Sequence, residues 1–526
     1  MKNKLLSVLL ACSLTVTMIA GCGSTGTESK DSNETSTDST SAEGADEDVA
    51  EVAPAEIDMD EEPYEVAIQL VTLPGTDYSA YEAEMEEKIN EITVPAINAK
   101  LDIQFVWINE IANKTSLAVA GNEKLDLVHV ATVSPLSSMV GADMLYDMNE
   151  DDLLKTHGQT LVSLFSDILE AGEVDGQQLA VPAKLYNAVA KGLDFNKTAA
   201  ENEGVDIPAT GNLEDLDRAL TDLKNSGSDI IGWYAGEGTN NYLYWLEGYE
   251  SFGTNASYGA VLDSDKDTTV VNLYDTEDFL DYALLTYKWR QEGIIRKDST
   301  DNTSAQDYFN AQQIFCYPGD ITPQLNANYS ATAKNNGFEL GTMQMVEPKI
   351  TNASVTEYMW GIAVNSERPD KAMDMLNFIY ENADVANILM YGLEGTNYEF
   401  VEGSDKVIET NGSYIASFVQ IGNPENMLIQ SPAGEDYYEQ WEAFSAKATT
   451  SPIVGYMFSD ADYQTESAAI TNVINQYMPT LMNGSCESED ATKAYVEEFV
   501  SALEAAGMND VIAGNQEQLD AYLARQ

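Results

Sequence analysis

The sequence predicts an α/β fold with a largely parallel sheet, and three observations carry that expectation. Residues 64–72 alternate, with Val66, Ile68 and Leu70 set against Glu65, Ala67 and Gln69, the period of a strand. A helical pattern follows in "YEAEMEEKINEI", then a second alternating run in "LDIQFVWI" and a short apolar run in "KLDLVHVA". Strands that alternate with helices build parallel sheets, and ligands of such sheets meet the loops at the carboxyl ends of the strands. Thr72 to Thr76 and the "ATVSP" loop are therefore expected cleft walls.

Ahead of this region, Lys2 and Lys4 precede an apolar run from Leu5 to Ala20 that is too short to span a bilayer, so residues 1–21 read as a secretion signal. The run ends in Ile19-Ala20-Gly21-Cys22, which resembles the lipobox of bacterial lipoproteins. That resemblance implies a diacylglycerol on the Cys22 thiol and a mature chain that begins there. Two acyl chains hold a protein where one binds only reversibly. Residues 22–62 follow as a lipid-anchored disordered tether: Gly23 to Glu62 holds fourteen acids, one lysine and no aromatic residue. Such a segment cannot bury enough apolar surface to offset its ordering entropy.

The remainder of the 526-residue chain is long enough for two or three cores. With 88 acidic against 26 basic residues, the net charge of -62 excludes nucleic acid as a partner and argues against binding to an anionic membrane surface. Contact with the membrane is expected only through the N-terminal lipid. Of the four cysteines, Cys12 lies in the signal and Cys22 at the anchor. Cys316 and Cys486 flank no metal-ligand spacing, and whether they pair is open.

Later elements repeat the α/β logic. Leu213, Leu216, Leu220 and Leu223 mark a helix behind Asn212 as its N-cap, and "TEYMWGIAVN" reads as a strand. Pro369 opens a helix whose packed face is Ala372, Met375, Leu376 and Ile379. Val496, Phe499, Val500 and Leu503 repeat that spacing near the C-terminus.

Several segments, in order, resemble the extracellular solute-binding lipoproteins of bacterial ABC importers, in the carbohydrate-associated branch. They are "LAVAGNEKLDLVHV", "EVDGQQLAVPAKLYNAVAKGLDFNK", "FNAQQIFCYPGD" and "GIAVNSERPDKAMDMLNFIYEN". The run from "YGLEGTNYEFVEG" to "DAYLAR" is similar to the extra C-terminal region of a Gram-positive subgroup. The resemblance implies a two-lobed fold of the type II periplasmic-binding-protein kind, with the ligand cleft between hinged lobes. Lobe 1 would comprise 63–184 and about 355–420. Lobe 2 would comprise 185–354 and about 421–526, including a helical C-terminal region. Crossings are expected near Ala183-Lys184, from Ala353 to Tyr358, and after about Val419.

Catalytic chemistry is sparse. The two histidines divide into His129, inside apolar "LVHVA" and expected in the core, and His157, in polar "KTHGQT" and expected in solvent. No nucleophile elbow, zinc-protease or phosphate-loop motif occurs. Neither catalytic residues nor a cofactor nor a metal site is expected. Asp263, Asp265 and Asp267 match the first ligands of a calcium loop, but Thr268 and Tyr274 replace the glycine and the bidentate glutamate, so a solvated acidic turn is preferred and a structural calcium is left open.

Sugars offer apolar ring faces bounded by hydroxyls, so aromatic residues beside acids and amides are the expected ligands. Trp233 and Trp360 are placed first, one on each lobe, with Tyr234, Tyr317, Asp320, Tyr186, Asn187 and Thr72 completing the set. Trp245, Trp289 and Trp441 are assigned to the core. The reading is a monomeric, membrane-anchored protein on the outer face of the cell membrane that captures an oligosaccharide and passes it to the permease subunits of an ABC importer. The alternatives are a binding protein for a peptide or another cationic or neutral solute, and a surface glycoside hydrolase.

Overall fold

The computed structural model describes residues 53–234, 242–295, 304–414, 416 and 421–526. The signal, Cys22, most of the tether and Val419 lie outside them. Among the described residues, no helix is long and apolar enough to cross a membrane.

The first lobe is built on a five-stranded sheet. Tyr64–Thr72 pairs in parallel with Ala99–Trp107, from Tyr64 opposite Ala99 to Thr72 opposite Trp107, and on its other side with Leu127–Ala131. Tyr358–Ile362 then enters antiparallel, with Tyr358 opposite Ala131 and Trp360 opposite His129, and Val181–Pro182 forms the far edge. Helices cover both faces, so the alternation of the first strand does not separate core from solvent. Gln69 is as buried as its apolar neighbours, and its side-chain oxygen accepts a 2.6 Å hydrogen bond from Thr115.

The helix Ser79–Ile97 buries Met85, Ile89, Thr93 and Ile97, a four-residue period, and stops at Asn98, whose φ of 48° is left-handed. The Asn98 amide then donates to the carbonyls of Asp58 and Glu61. Glu61 pairs with Arg368 and with Lys371, a buried lysine, while the Ala55 amide donates to the Thr156 carbonyl. The last residues of the expected tether are thus docked on lobe 1, which moves the tether's end back from 62 to about 54. In the helix Pro369–Glu381, Ala372, Met375, Leu376 and Ile379 are fully buried, the expected face.

The second lobe has a four-stranded sheet in the order Cys316–Ile321, Val189–Asn196, Leu340–Ile350, Thr449–Thr450. Its central strand is antiparallel to both neighbours. Gly192 lets these backbones close up, since a Cβ there would stand 2.1 Å from the Met343 carbonyl oxygen. The helix Leu213–Ser226 starts in a capping box between Asn212 and Asp215 and buries Leu216, Leu220 and Leu223. The C-terminal helices Gln464–Met482, Glu489–Ala505 and Met508–Leu523 add Ile470, Phe499, Leu503 and Leu519 to the same core.

Two large apolar cores, with a smaller cluster around Tyr308 and Phe309, hold most of the buried residues among those described. One holds Val66 to Ala183 and Val355 to Met427, and the other Leu193 to Met343 and Ile453 to Leu519. The expected return to lobe 2 near residue 421 is therefore early. Ile421 and Met427 pack in the first core, and Ile429–Gln430 pairs with Val407–Thr410, so lobe 1 keeps the chain to about Gln430. The expected acidic turn joins the antiparallel strands Ala260–Asp263 and Asp267–Val271, where Asp263 pairs with Lys266 and Asp265 with Lys349. Cys316 and Cys486 are both free thiols. His157, expected in solvent, is only partly exposed, and its Nδ1 lies 2.7 Å from Asp374 Oδ1.

Candidate ligand-binding cleft

Where the chain passes between the two cores it encloses a cleft of about 380 Å³. That volume lies within the range of small-molecule sites. The first crossing contributes Ala183 to Tyr186, and its position is set by the Tyr380 hydroxyl, which donates to the Ala183 carbonyl at 2.8 Å. From lobe 2 come Asp320, at the end of its strand, and Thr322, Gln324 and Asn328 around the start of the helix Pro323–Asn335. Thr322 caps that helix by accepting from the Leu325 amide at 3.2 Å. Glu357 and Tyr358 open the lobe 1 strand, and the helix Tyr437–Ser445 supplies Tyr437, Tyr438 and Trp441.

The aromatic wall is a stack. The Tyr186 and Trp441 rings lie 5.2 Å apart and 6° from parallel, with Tyr438 at 6.4 Å on Tyr186. The Tyr186 hydroxyl is buried and has no hydrogen-bond partner among the described residues. Burial, reinforced by Glu425 and Glu442, pushes this phenol up to about 12, and burial holds Tyr358 and Tyr437 at about 12 as well. All three remain protonated donors at physiological pH.

Charged groups line the cleft as well. Lys184 forms an ion pair with Glu357 that ties the first crossing to the second. Asp320 presents an exposed surface, yet the surrounding walls desolvate its carboxyl and raise its pKa, against the pull of Lys191. Lys191 stands opposite Asp320 in the strand register, and its ammonium lies 3.2 Å from the centroid of the Tyr244 ring. Burial lowers Lys191 to about 8, with Asp320 and Glu250 opposing that shift. Flat aromatic faces, phenolic donors, amides and carboxylates in one cleft suit a neutral, polyhydroxylated ligand.

The residues expected here divide sharply. Tyr186 and Asp320 line the cleft, and Asn187 supports it by donating to the Lys184 carbonyl at 2.7 Å. Trp233 and Trp360 do not line it. Both are 0 % exposed, Trp233 packed on Trp289 and Tyr242, and Trp360 set edge-on to His129 within the lobe 1 sheet. Tyr234 is buried in a small cluster with Tyr308 and Phe309. Tyr317 packs against Phe309 and Tyr329, away from the cleft lining. Thr72 is buried and its hydroxyl donates to the Val106 carbonyl. Trp441, assigned to the core, is buried as expected but belongs to neither large apolar core, and its ring also forms a wall of the cleft. Its signal was the "YYEQWEAF" segment, where Tyr437, Tyr438 and Trp441 fall on one helical face between acids.

Residues 452–524 match a family described as a domain of unknown function, DUF3502. A carbohydrate ABC transporter substrate-binding protein of Streptococcus pneumoniae serotype 4 is 25% identical over 454 residues, covering 84% of this chain and 88% of that protein. The solved N-glycan transport solute-binding protein of S. pneumoniae superposes with a TM-score of 0.73 at 22% identity, over 87% of this chain and 99% of its own. An extracellular solute-binding protein of Bifidobacterium longum subsp. infantis superposes with a TM-score of 0.59 at 15% identity, over 89% of this chain and 100% of its own. The resemblance drawn from the ordered sequence segments is borne out by these likenesses. The chain thus has the fold of the two-lobed solute-binding proteins to which it is similar.

Proposed function

We propose that this chain is the substrate-binding protein of an ABC importer, that it captures a neutral oligosaccharide in the cleft, and that it delivers the sugar to the permease subunits. The observation that carries the reading is the aromatic stack of Tyr186 and Trp441 facing the Lys184–Glu357 ion pair and Asp320. A pyranose ring meets a flat apolar surface on one side and hydrogen-bonding groups on the other. No bond is broken; binding energy and lobe closure are the mechanism. The chain works as a monomer on the outer face of the membrane, tethered through lipid on Cys22. The pneumococcal relatives named above, one a carbohydrate transport protein and one an N-glycan transport protein, support the ligand class.

Calorimetric titration of the chain from Ala53 with Man1GlcNAc and Man5GlcNAc, glycans held by the solved pneumococcal protein, tests this. Saturable binding with an unchanged sugar after incubation is the expected result. New reducing ends would make the protein a hydrolase. Absence of heat with either glycan, joined to a response to basic peptides, would replace sugar by peptide as the ligand.

A further inference from the structure

Of the six tryptophans, Trp107 alone is exposed. It ends its strand opposite Thr72, and its indole N–H donates to the Thr76 carbonyl at 2.8 Å, which fixes the ring without covering it. Leu73 and Val133, in the loops that follow the two neighbouring strands, are also exposed, at 37% and 47% against 37% for Trp107. Single exposed apolar side chains are ordinary. These three share one edge of one sheet.

That edge is continuous with the cleft. The strands run in the order Ala99–Trp107, Tyr64–Thr72, Leu127–Ala131, Tyr358–Ile362. The first three are parallel and the fourth antiparallel, with Ala131 opposite Tyr358. Trp107, Leu73, Val133 and the cleft residue Tyr358 therefore all lie at the carboxyl end of the parallel strands. Three strand spacings put Trp107 roughly 14 Å along the edge from Tyr358. That distance is a few linked pyranose rings.

We propose that Trp107, with Leu73 and Val133, forms a distal sugar platform that holds the part of a long neutral oligosaccharide extending beyond the enclosed cleft. The proposal rests on the carbohydrate reading above. It makes the protein select for chain length: a short sugar fills the cleft and never reaches Trp107, while a longer one stacks on both.

Titration of the wild type, Trp107→Ala, Trp107→Phe and Trp441→Ala with Man1GlcNAc and Man5GlcNAc tests it. Trp107→Ala is expected to weaken Man5GlcNAc roughly tenfold while leaving Man1GlcNAc unchanged, and Trp107→Phe to recover most of the loss. Trp441→Ala should weaken both sugars, which reports on the cleft independently. Equal Man5GlcNAc affinity in wild type and Trp107→Ala overturns the platform while leaving the cleft reading standing. So does a parallel loss for both sugars with a lowered melting temperature, which would mark Trp107 as structural. Unchanged affinity with impaired uptake by cells overturns it in favour of a permease contact. A wild type that binds neither glycan overturns the carbohydrate reading and the platform with it.

Discussion

The rings of Tyr186 and Trp441 lie 5.2 Å apart and 6° from parallel, joining the first crossing between the lobes to the helix that precedes the last. The two residues are 255 positions apart in sequence and belong to two segments that pass between the cores. A ligand seated on this pair would touch both segments together.

Trp441→Ala removes the larger half of the pair. Interface tryptophans that bear on a ligand typically contribute about 2 kcal/mol or more, so sugar affinity should fall at least roughly thirtyfold. Because Trp441, though buried, belongs to neither large core, the melting temperature of the free protein should fall less than for Trp233 or Trp360. Titration and thermal melts of the same preparation check both. Affinity within twofold of wild type would remove the stack from the site.

Tyr186→Phe asks a narrower question. The Tyr186 hydroxyl is buried with no partner among the described residues, so deleting it should leave the free protein as stable or slightly more so. In the complex that hydroxyl is the expected donor to a sugar oxygen, and its loss should cost roughly 1 kcal/mol, about fivefold in affinity. A destabilised variant with intact binding would mean that the hydroxyl serves the fold.

The fold was more legible than the site, for a physical reason. Helix and strand periods are local, and residues such as Leu216, Leu220 and Leu223, or Ala372, Met375, Leu376 and Ile379, declare their face by spacing alone. Tyr186 was legible as an aromatic residue beside an amide, Asn187, and Asp320 as an acid near the end of an extended run. Trp233 misled because its glycine-rich flanks suggest a loop, and Trp360 because it follows Glu357 and Tyr358 in its strand, whereas tertiary packing buries both side chains completely. Whether an aromatic residue faces solvent or a second element depends on that second element. Trp441 has the same local signature as a core tryptophan, and only the approach of Tyr186 makes it a wall.

Trp360→Ala and Trp233→Ala should therefore behave as core deletions. Both side chains are 0 % exposed, and truncating a buried aromatic costs about 3 to 5 kcal/mol. The variants should melt well below wild type, while the fraction that remains folded binds sugar with normal affinity. Denaturant melts followed by titration under stabilising conditions separate the two effects. A large affinity loss with an unchanged melt would restore these residues to the site.

Asp194 lies in the central strand of the second sheet. Its side chain is buried and accepts a 3.0 Å hydrogen bond from the Thr342 hydroxyl, but burial outweighs that bond and pushes its carboxyl up to about 7. An unfolded aspartate titrates near 3.9. Between about pH 4 and pH 7 the folded protein therefore keeps a proton that the unfolded chain has lost. Stability from this group is greatest below pH 4, declines as pH rises through that window, and is level above it. Asp194→Asn keeps an acceptor for Thr342 and a donor in place of the acid proton, yet cannot ionise. The variant should match wild type near pH 4.5 and exceed it at pH 8 by on the order of 3 kcal/mol. Urea melts of both proteins at the two pH values give the difference directly, with the other carboxylates cancelling in the comparison. If the difference between variant and wild type is the same at both, Asp194 is already ionised in the folded state and its burial does not control its charge.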